Sequence, residues 1–363
     1  MNWIFIFLGF CLLIMLHEAG HFVAAKATGM RVERFFLFFG PTIWSFKRGE
    51  TEYGIKSIPL GGYVKISGMN PEEELPPEEE HRAYYRQKAW KRIVVIAAGP
   101  AVNIVLAFAI LFFVYLLNAE QATQSVQRVE HNTPAAAVLK PGDRIVAVDG
   151  SRYLRLDADE RTERFREEIG AHRCAGKQKD GCRAETAVEL TIEREGQRKA
   201  LSVWPEYKAS AGQTLVGFSF KAEPTEISAG EAANRATTVM RSVVSGTFHV
   251  FSHLFESEQR KQLHTVVGIS DVANQTIDRS GTEALLLLAL VSLSLGLVNL
   301  LPILPLDGGH IFWAIVEKLR GAPVSFRVME RASIIGFALV AMIFFLGLSN
   351  DIGRLTGEGF NVR

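Results

Sequence analysis

Charged residues are almost absent from four long stretches of this 363-residue sequence. The stretches are residues 3–28, 93–117, 284–301 and 332–348. Of the 40 Lys and Arg and the 39 Asp and Glu in the chain, only Lys26 and Glu18 fall within them. Since a helix of about 20 apolar residues spans the roughly 30 Å hydrocarbon core of a bilayer, each stretch is long enough to cross a membrane. This distribution excludes a single soluble domain and a disordered chain.

The net charge of the sequence is also small, at +1. This excludes a strongly basic protein that binds nucleic acid. Outside the four stretches, charged residues are as frequent as in ordinary soluble domains. No basic segment precedes the first stretch and no small-residue cleavage site ends it, so we expect a retained span and not a removable signal peptide. Together these features predict a polytopic α-helical membrane protein with four transmembrane helices in a lipid bilayer and a sizeable aqueous part.

Basic residues between the stretches predict the orientation of the spans. Residues 29–92 hold eleven Lys and Arg, and the loop between the last two spans holds four more. Because cytoplasmic loops are enriched in Lys and Arg, we expect both loops in the cytoplasm, with the termini and residues 118–283 outside. Cysteine is scarce, but Cys174 and Cys182 bracket a short polar stretch of this outside segment. A disulfide between them suits an oxidising compartment, and two reduced thiols are the alternative.

The first span contains the sequence His17-Glu18-Ala19-Gly20-His21. Two histidines four residues apart project from one face of a helix and bind one metal ion together, while the glutamate beside them activates a metal-bound water. Ionisable residues are costly inside a membrane and usually serve a function there, so a mere polar contact between helices is the weaker interpretation. We therefore predict His17 and His21 as metal ligands and Glu18 as the catalytic base.

A catalytic zinc site needs a third protein ligand and one open position. The end of the third apolar stretch supplies Asp307, after two prolines that end or kink the helix. Gly308 and Gly309 follow it, and we expect them to adopt backbone shapes that other residues resist. His17 lies about 21 Å along its helix, toward the cytoplasmic side, and the third span also ends on that side. The two half-sites therefore fall at the same membrane depth, although a capping role is the alternative for Asp307 taken alone.

With these motifs the chain resembles the site-2 proteases, zinc metalloproteases of regulated intramembrane proteolysis, in the bacterial branch with one extracytoplasmic PDZ domain. Three segments are similar to family motifs: His17-Glu18-x-x-His21, Asn299-x-x-Pro302 through Asp307-Gly308, and Gly99-Pro100-x-x-Asn103. The resemblance covers nearly the whole chain, in the family's order. It implies one Zn²⁺ per chain held by His17, His21 and Asp307, with Glu18 as general base and later proton donor.

The resemblance also implies a location and a substrate. The expected location is the bacterial inner membrane, with the active site toward the cytoplasm. The expected substrate is the transmembrane segment of a single-pass protein, typically an anti-sigma factor already trimmed by another protease, and its cleavage releases a cytoplasmic signalling fragment. Asn299 is expected to hold the substrate backbone or the developing oxyanion. For Asn103 this role and a hydrogen bond between helices are both open, and His310 is expected to have a structural role and not to be a ligand.

Residues 50–66 alternate between apolar and polar positions and predict a β-hairpin with its turn at Gly61-Gly62. An exposed strand edge on the cytoplasmic side would pair with an unwound substrate. The family resemblance agrees, since it implies a membrane-associated β-loop near the active site. A plain cytoplasmic hairpin is the alternative.

The outside segment predicts an α+β domain over residues 122–222 that resembles a circularly permuted PDZ domain. Residues 160–170 are its expected helix, and Val188–Arg194 and Ala200–Trp204 are expected strands. Two roles compete for this domain: binding of a substrate peptide, and steric exclusion of substrates with bulky outer domains. We favour exclusion.

An amphipathic helix is expected over residues 226–262, at the outer membrane surface or against the PDZ domain. The membrane core then comprises residues 1–117 and 284–348. A zinc endopeptidase is the function that these features predict. A catalytically silent membrane adaptor that presents the PDZ domain is the alternative, which the intact Glu18 disfavours. A metal transporter is a third possibility, but the chain lacks the internal repeats typical of transporters.

Overall fold

The structure is a computed structural model that describes residues 2–70, 73–153, 156, 158–208, 211–252 and 281–356. The chain divides into two compact units, one formed by Met1–Leu116 with Ser228–Arg363 and the other by Leu117–Ile227. Helices α1 to α8 are Asn2–Ala27, Pro77–Glu80, Ala89–Leu117, Ala158–Ala171, Ala229–Ser252, Gly281–Asn299, Asp307–Arg320 and Phe326–Thr356. Strands β1 to β9 are Val32–Arg48, Thr51–Ile66, Glu120–Val129, Arg144–Val148, Val188–Arg194, Gln197–Val203, Glu206–Lys208, Gln213–Leu215 and Phe218–Pro224.

Helices α1, α3, α6 and α8 are long and apolar enough to cross a membrane, which confirms the four spans expected from the sequence. No more than a third of the most apolar window of each helix is buried inside the protein. The remaining apolar surface is therefore available to lipid. Because a helix satisfies its own backbone hydrogen bonds, it is one of the few structures that tolerate this environment.

Strands β1 and β2 form one long antiparallel hairpin that follows α1. The expected hairpin within residues 50–66 is wrong, because that segment is a single strand and its partner is the strand before it. The chain reverses at Gly49, whose φ of +63° is easily adopted by glycine. Gly61, with a φ of +130°, bends β2 where a turn was expected.

The hairpin is curled and carries an apolar surface. Phe36 in β1 lies opposite both Gly54 and Tyr63 of β2, so the first part of β1 contacts two parts of its partner. Ile43 and Trp44, in the second half of β1, are 69% and 57% exposed. Side chains of this kind suit contact with lipid better than contact with water.

The β-rich unit, Leu117–Ile227, contains a five-stranded sheet in the order β6-β5-β4-β3-β9 and the small pair β7-β8. Helix α4 covers its core, where Phe165 and Ile169 pack with Ile145, Leu190 and Ile192. The strand expected over 188–194 has the same bounds in the structure, and the helix expected over 160–170 lies within α4. The apolar residues of the strands, such as Leu190 and Ile192, occupy every second position, which is why these strands were readable from the sequence.

Cys174 and Cys182 are joined in a disulfide, with their Cα atoms 6.1 Å apart. Helix α5 occupies part of the expected amphipathic segment, and residues 253–262 lie outside the described residues. Its apolar residues Val239 and Met240 pack in a cluster with Leu111 of α3 and Ala289 of α6. The apolar face of α5 therefore contacts membrane-spanning helices.

Candidate metal centre

His17 and His21 lie one turn apart on α1 and are 6% and 7% exposed. Their rings meet edge to face, with centroids 4.9 Å apart. Both side chains leave the helix on the same face because residues four apart are neighbours on a helical surface. The two Nε2 atoms are 3.3 Å apart, so both point to one place.

Asp307 reaches the same place from the start of α7. Helix α6 ends at Asn299, and a short loop returns the chain into α7. A Cβ atom at Gly308 would overlap the carbonyl group of Leu300, and one at Gly309 would come within 2.5 Å of the backbone nitrogen of Leu304. These glycines are therefore required because the loop packs on the first turn of α7, and not for unusual backbone shapes as expected.

The three candidate ligand atoms have the spacing of a zinc site. Oδ2 of Asp307 lies 3.1 Å from Nε2 of His17 and 3.3 Å from Nε2 of His21. Bonds of about 2.0–2.1 Å to a tetrahedral zinc ion place neighbouring ligand atoms about 3.3–3.4 Å apart. The three atoms thus form one face of such a tetrahedron, and the fourth corner is left for water or substrate. Among the described residues, these three form the group that fits a metal ion.

Helix α3 supplies the outer contacts of both histidines. Nδ1 of His21 donates a hydrogen bond to the carbonyl oxygen of Val95 at 2.9 Å. The side chain of Asn103 lies 3.3 Å from Nδ1 of His17. A Cβ atom at Gly99 would overlap the His21 ring, so glycine is needed for the imidazole to lie against α3.

Glu18 lies beside the histidines, against strand β2. Its carboxylate lies near the backbone N–H of Val64. A Cβ atom at Gly62 would be 3.1 Å from Cγ of Glu18 and 3.1 Å from the carbonyl oxygen of Phe36. The hairpin therefore forms a wall of the site, and Gly62 permits the close approach.

The turn of the hairpin is fixed by an ionic cluster. Glu50, at the turn between β1 and β2, forms ion pairs with Arg82 and with Lys26 near the end of α1. Hydrogen bonds from Arg82 and then Lys26 lower the pKa of Glu50 to about 2, against the opposing effect of burial. The carboxylate is therefore charged at neutral pH, and it links the hairpin to the helix that carries the histidines.

Two other residues singled out in the sequence are not in the ligand group. Asn299 is the last residue of α6, half-buried, and its side chain has no hydrogen bond to the residues that the structure describes. His310 lies one turn after Asp307 on α7 and faces a cavity of about 910 Å³ that is also lined by Tyr84, Arg92 and Trp313. None of the three ligands lines that cavity.

Sequence reasoning missed three features of the site. Val95 acts through its backbone carbonyl, which leaves no trace in the residue type. Gly62 was interpreted as part of a turn, and Gly99 appeared only as part of a motif. A glycine in the interior of a helix lowers helix stability by about 1 kcal/mol relative to alanine. Glycine at position 99 of an apolar helix was therefore the signal in the sequence for a close contact.

Comparison with known proteins identifies the family. The model of peptidase family M50 matches residues 5–343. The zinc metalloprotease Rip1 of Mycobacterium tuberculosis is 31% identical over 93% of this chain and 94% of its own length. Putative zinc metalloproteases of Rhizobium meliloti and Nostoc sp. are 31% and 30% identical, over 95% and 93% of this chain and 95% and 90% of their own lengths.

One solved structure is similar in part. The PDZ domain of the SdrC-like protein from Listeria innocua covers 27% of this chain and 92% of its own, at 18% identity and a TM-score of 0.21. A score this low does not establish a common fold. The family match spans both halves of the membrane unit and includes His17, His21 and Asp307. The chain therefore belongs to peptidase family M50, the site-2 protease family, and is a multi-pass membrane member of it.

Proposed function

We propose that the protein is an intramembrane zinc endopeptidase that hydrolyses a peptide bond within the transmembrane segment of a single-pass membrane protein. The observation that carries this proposal is the triangle of His17, His21 and Asp307, which joins α1 to the residues just after α6. Both helices are candidate membrane spans. Buried ionisable groups gathered on membrane helices are costly unless they serve a function.

His17, His21 and Asp307 would hold the metal ion, and Glu18 would transfer protons. Bound zinc supplies Lewis acidity toward the scissile carbonyl and a water of lowered pKa. Glu18 accepts the proton of the attacking water and delivers it to the leaving amine. The N–H of Val64 lies near the Glu18 carboxylate, so it is available to orient this group. We expect Asn299 to contact the substrate backbone or the developing oxyanion, because its side chain is without a partner among the described residues.

The hairpin is the proposed substrate platform. A peptide bond in a helix is shielded by its own turn, so the substrate has to unwind before cleavage. Strand β2 passes Glu18 at Gly62 and Val64, where an unwound segment would add alongside the hairpin. The exposed side chains of Ile43 and Trp44 support a position of this part of the hairpin in the bilayer, where the substrate arrives.

The proposed orientation, substrate and role of the β-rich unit rest on the distribution of basic residues and on the family. We place the termini and the β-rich unit outside the bacterial inner membrane and the metal centre toward the cytoplasm, on the basic loops of the sequence. The substrate is then a single-pass protein such as an anti-sigma factor, trimmed outside before it reaches the site and released as a cytoplasmic signalling fragment. The β-rich unit, as a PDZ domain, excludes substrates that still carry a bulky outer domain.

The experiment compares Glu18→Gln with Glu283→Gln in the full chain. Glu283 is an exposed glutamate in the first turn of α6 and is a matched control. Zinc content is measured by mass spectrometry on the purified protein, and cleavage by the fragment size of a co-expressed, tagged single-pass anti-sigma factor without its outer domain. We expect Glu18→Gln to keep zinc and lose cleavage, and Glu283→Gln to keep both. Full cleavage by Glu18→Gln refutes the mechanism, and a wild-type chain that binds zinc but cleaves nothing favours the silent adaptor.

A further inference from the structure

Asn103 of α3 contacts the metal centre from its protein side. Its side chain is fully buried, and its amide nitrogen lies 3.3 Å from Nδ1 of His17. Its amide oxygen has no hydrogen-bond partner among the residues that the structure describes. The backbone carbonyl of Asn103 is engaged separately, because it accepts a hydrogen bond from Oγ of Ser292 at 2.9 Å. The amide group is thus directed at His17 with its nitrogen end, and its oxygen end is without a partner among the described residues.

The geometry of the ligand group fixes which nitrogen of His17 carries hydrogen. Nε2 faces Asp307 and His21, so it is the nitrogen that binds the metal and it has to keep its lone pair free. The hydrogen of the neutral imidazole is therefore on Nδ1, which needs an acceptor. His21 already shows this arrangement, since its Nδ1 donates to the carbonyl of Val95. Histidines that bind metals almost always have such an outer partner.

An amide nitrogen opposite the Nδ1–H of His17 would set two donors against each other. The oxygen and nitrogen ends of an asparagine amide are nearly equal in size, so the same packing accepts either end. Exchange of the two ends brings the oxygen to His17 and moves the nitrogen to the place where the oxygen has no partner. We propose that the amide oxygen of Asn103 accepts a hydrogen bond from Nδ1–H of His17 and so holds this imidazole in the tautomer and orientation that zinc requires.

This inference rests on the proposed zinc site and assigns Asn103 as a positioning residue. It differs from the two roles that the sequence left open. Direct contact with substrate is disfavoured because the side chain is 0% exposed. The bond between α3 and α6 runs from Ser292 to the backbone carbonyl of Asn103, so it does not need the amide at all. The side chain is therefore free to serve His17.

The test measures zinc affinity of the purified full chain in detergent by competition with a chromophoric chelator. Asn103→Leu keeps the branched shape with a larger volume and removes the acceptor, and we expect zinc affinity to fall about 10- to 100-fold. Asn103→Asp keeps an acceptor and cannot donate, and we expect its zinc affinity to stay close to that of the wild type. Ser292→Ala is the matched control at the same buried helix contact, because it removes a bond only to the backbone. We expect it to leave zinc affinity unchanged.

The outcomes distinguish a failure of this inference from a failure of the proposed function. Wild-type affinity in Asn103→Leu, or an equal loss in Asn103→Leu and Asn103→Asp, overturns the assignment of the amide oxygen as acceptor. Absence of zinc binding by the wild-type chain overturns the zinc site itself and this inference with it. Thermal unfolding and elution as a single species verify each variant, and Asn103→Ala replaces the leucine variant if that one does not fold. A loss of zinc affinity in Ser292→Ala equal to that in Asn103→Leu shows a packing effect and also refutes the proposal.

Discussion

The ring of His21 lies against Gly99 of α3, in the place that any side chain at position 99 would occupy. Gly99→Ala therefore forces the imidazole away from the carbonyl of Val95, its partner at Nδ1. Since loss of such outer contacts weakens metal binding about 10- to 100-fold, we expect zinc affinity to fall within that range. Chelator competition on the purified chain measures it.

A second helical glycine provides the control for this substitution. A Cβ atom at Gly246 of α5 would meet no other atom within 4 Å. Gly246→Ala should leave zinc affinity unchanged and stabilise the helix by up to about 1 kcal/mol, because alanine is the better helix former. Equal zinc affinity in the two variants would show that the close contact at Gly99 has no bearing on the metal.

Gly62 has a different function from Gly99, because it lies against the proposed base and not against a ligand. A Cβ atom there would crowd Glu18 and the carbonyl of Phe36, each at 3.1 Å. We expect Gly62→Ala to keep its zinc and to lower kcat, because Glu18 has to move by a few tenths of an ångström. The loss should be smaller than the about 100-fold that a displacement of about 1 Å costs at a reacting group. Cleavage kinetics with a solubilised single-pass substrate give kcat, and metal analysis gives the zinc content. Ser57→Ala, at an exposed position of the same strand, should change neither.

The sequence predicted the spans and the grouping of His17, His21 and Asp307 better than it predicted the contacts around them. Lack of charge over about 20 residues is a local property, so the four helices were readable from composition. The pairing of β2 with β1 is not local, and the glycine pair at 61–62 was a stronger turn signal in the sequence than Gly49. The contact of Asn103 with His17 depends on how closely α1 and α3 approach, and neither helix encodes that distance by itself.

The cysteines test the orientation of the β-rich unit. The chain has three cysteines, Cys11 in α1 and the joined pair Cys174 and Cys182. If that unit is outside the inner membrane, a maleimide-polyethylene glycol reagent added in denaturant without reductant should add one tag, and after reduction three. Cys11→Ser should shift these numbers to none and two. Three tags on the unreduced wild-type chain would place the pair in a reducing compartment and contradict the proposed topology.

The same disulfide should contribute to the stability of the β-rich unit. It closes a short loop, with a sequence separation of 8. The loop-closure relation gives about 2–3 kcal/mol for a loop of this length. We expect the double variant Cys174→Ser, Cys182→Ser to lower the free energy of unfolding by that amount, measured by hydrogen exchange of strands β4 and β5 in the full chain. Reduction of the wild-type chain should have the same effect.

A buried ion pair should make the stability of the β-rich unit depend on pH. The carboxylate of Asp143 is 2% exposed and accepts hydrogen bonds from Arg194 at 2.7 and 2.6 Å and from the backbone N–H of Lys140 at 2.7 Å. Burial acts to raise the pKa of Asp143, but Arg194 and the Lys140 N–H together lower it below its ordinary value. A carboxyl group whose pKa is lowered by folding stabilises the fold at a pH above about 4 and loses this effect as the pH falls through the folded pKa.

Asp143→Asn removes the charge with little change in shape and leaves Arg194 without its ion pair. Charge-assisted hydrogen bonds contribute about 1.5–3 kcal/mol, so we expect a loss of about 2 kcal/mol at pH 7 and a weaker dependence of stability on pH below pH 4. Exchange of the β4 and β5 amides should be roughly 30-fold faster at neutral pH, which is that free energy as a rate ratio. Glu193→Gln, in an exposed pair with Arg144 on the same sheet, should change exchange little. Equal effects of the two substitutions would contradict the assignment of this stability to the buried pair.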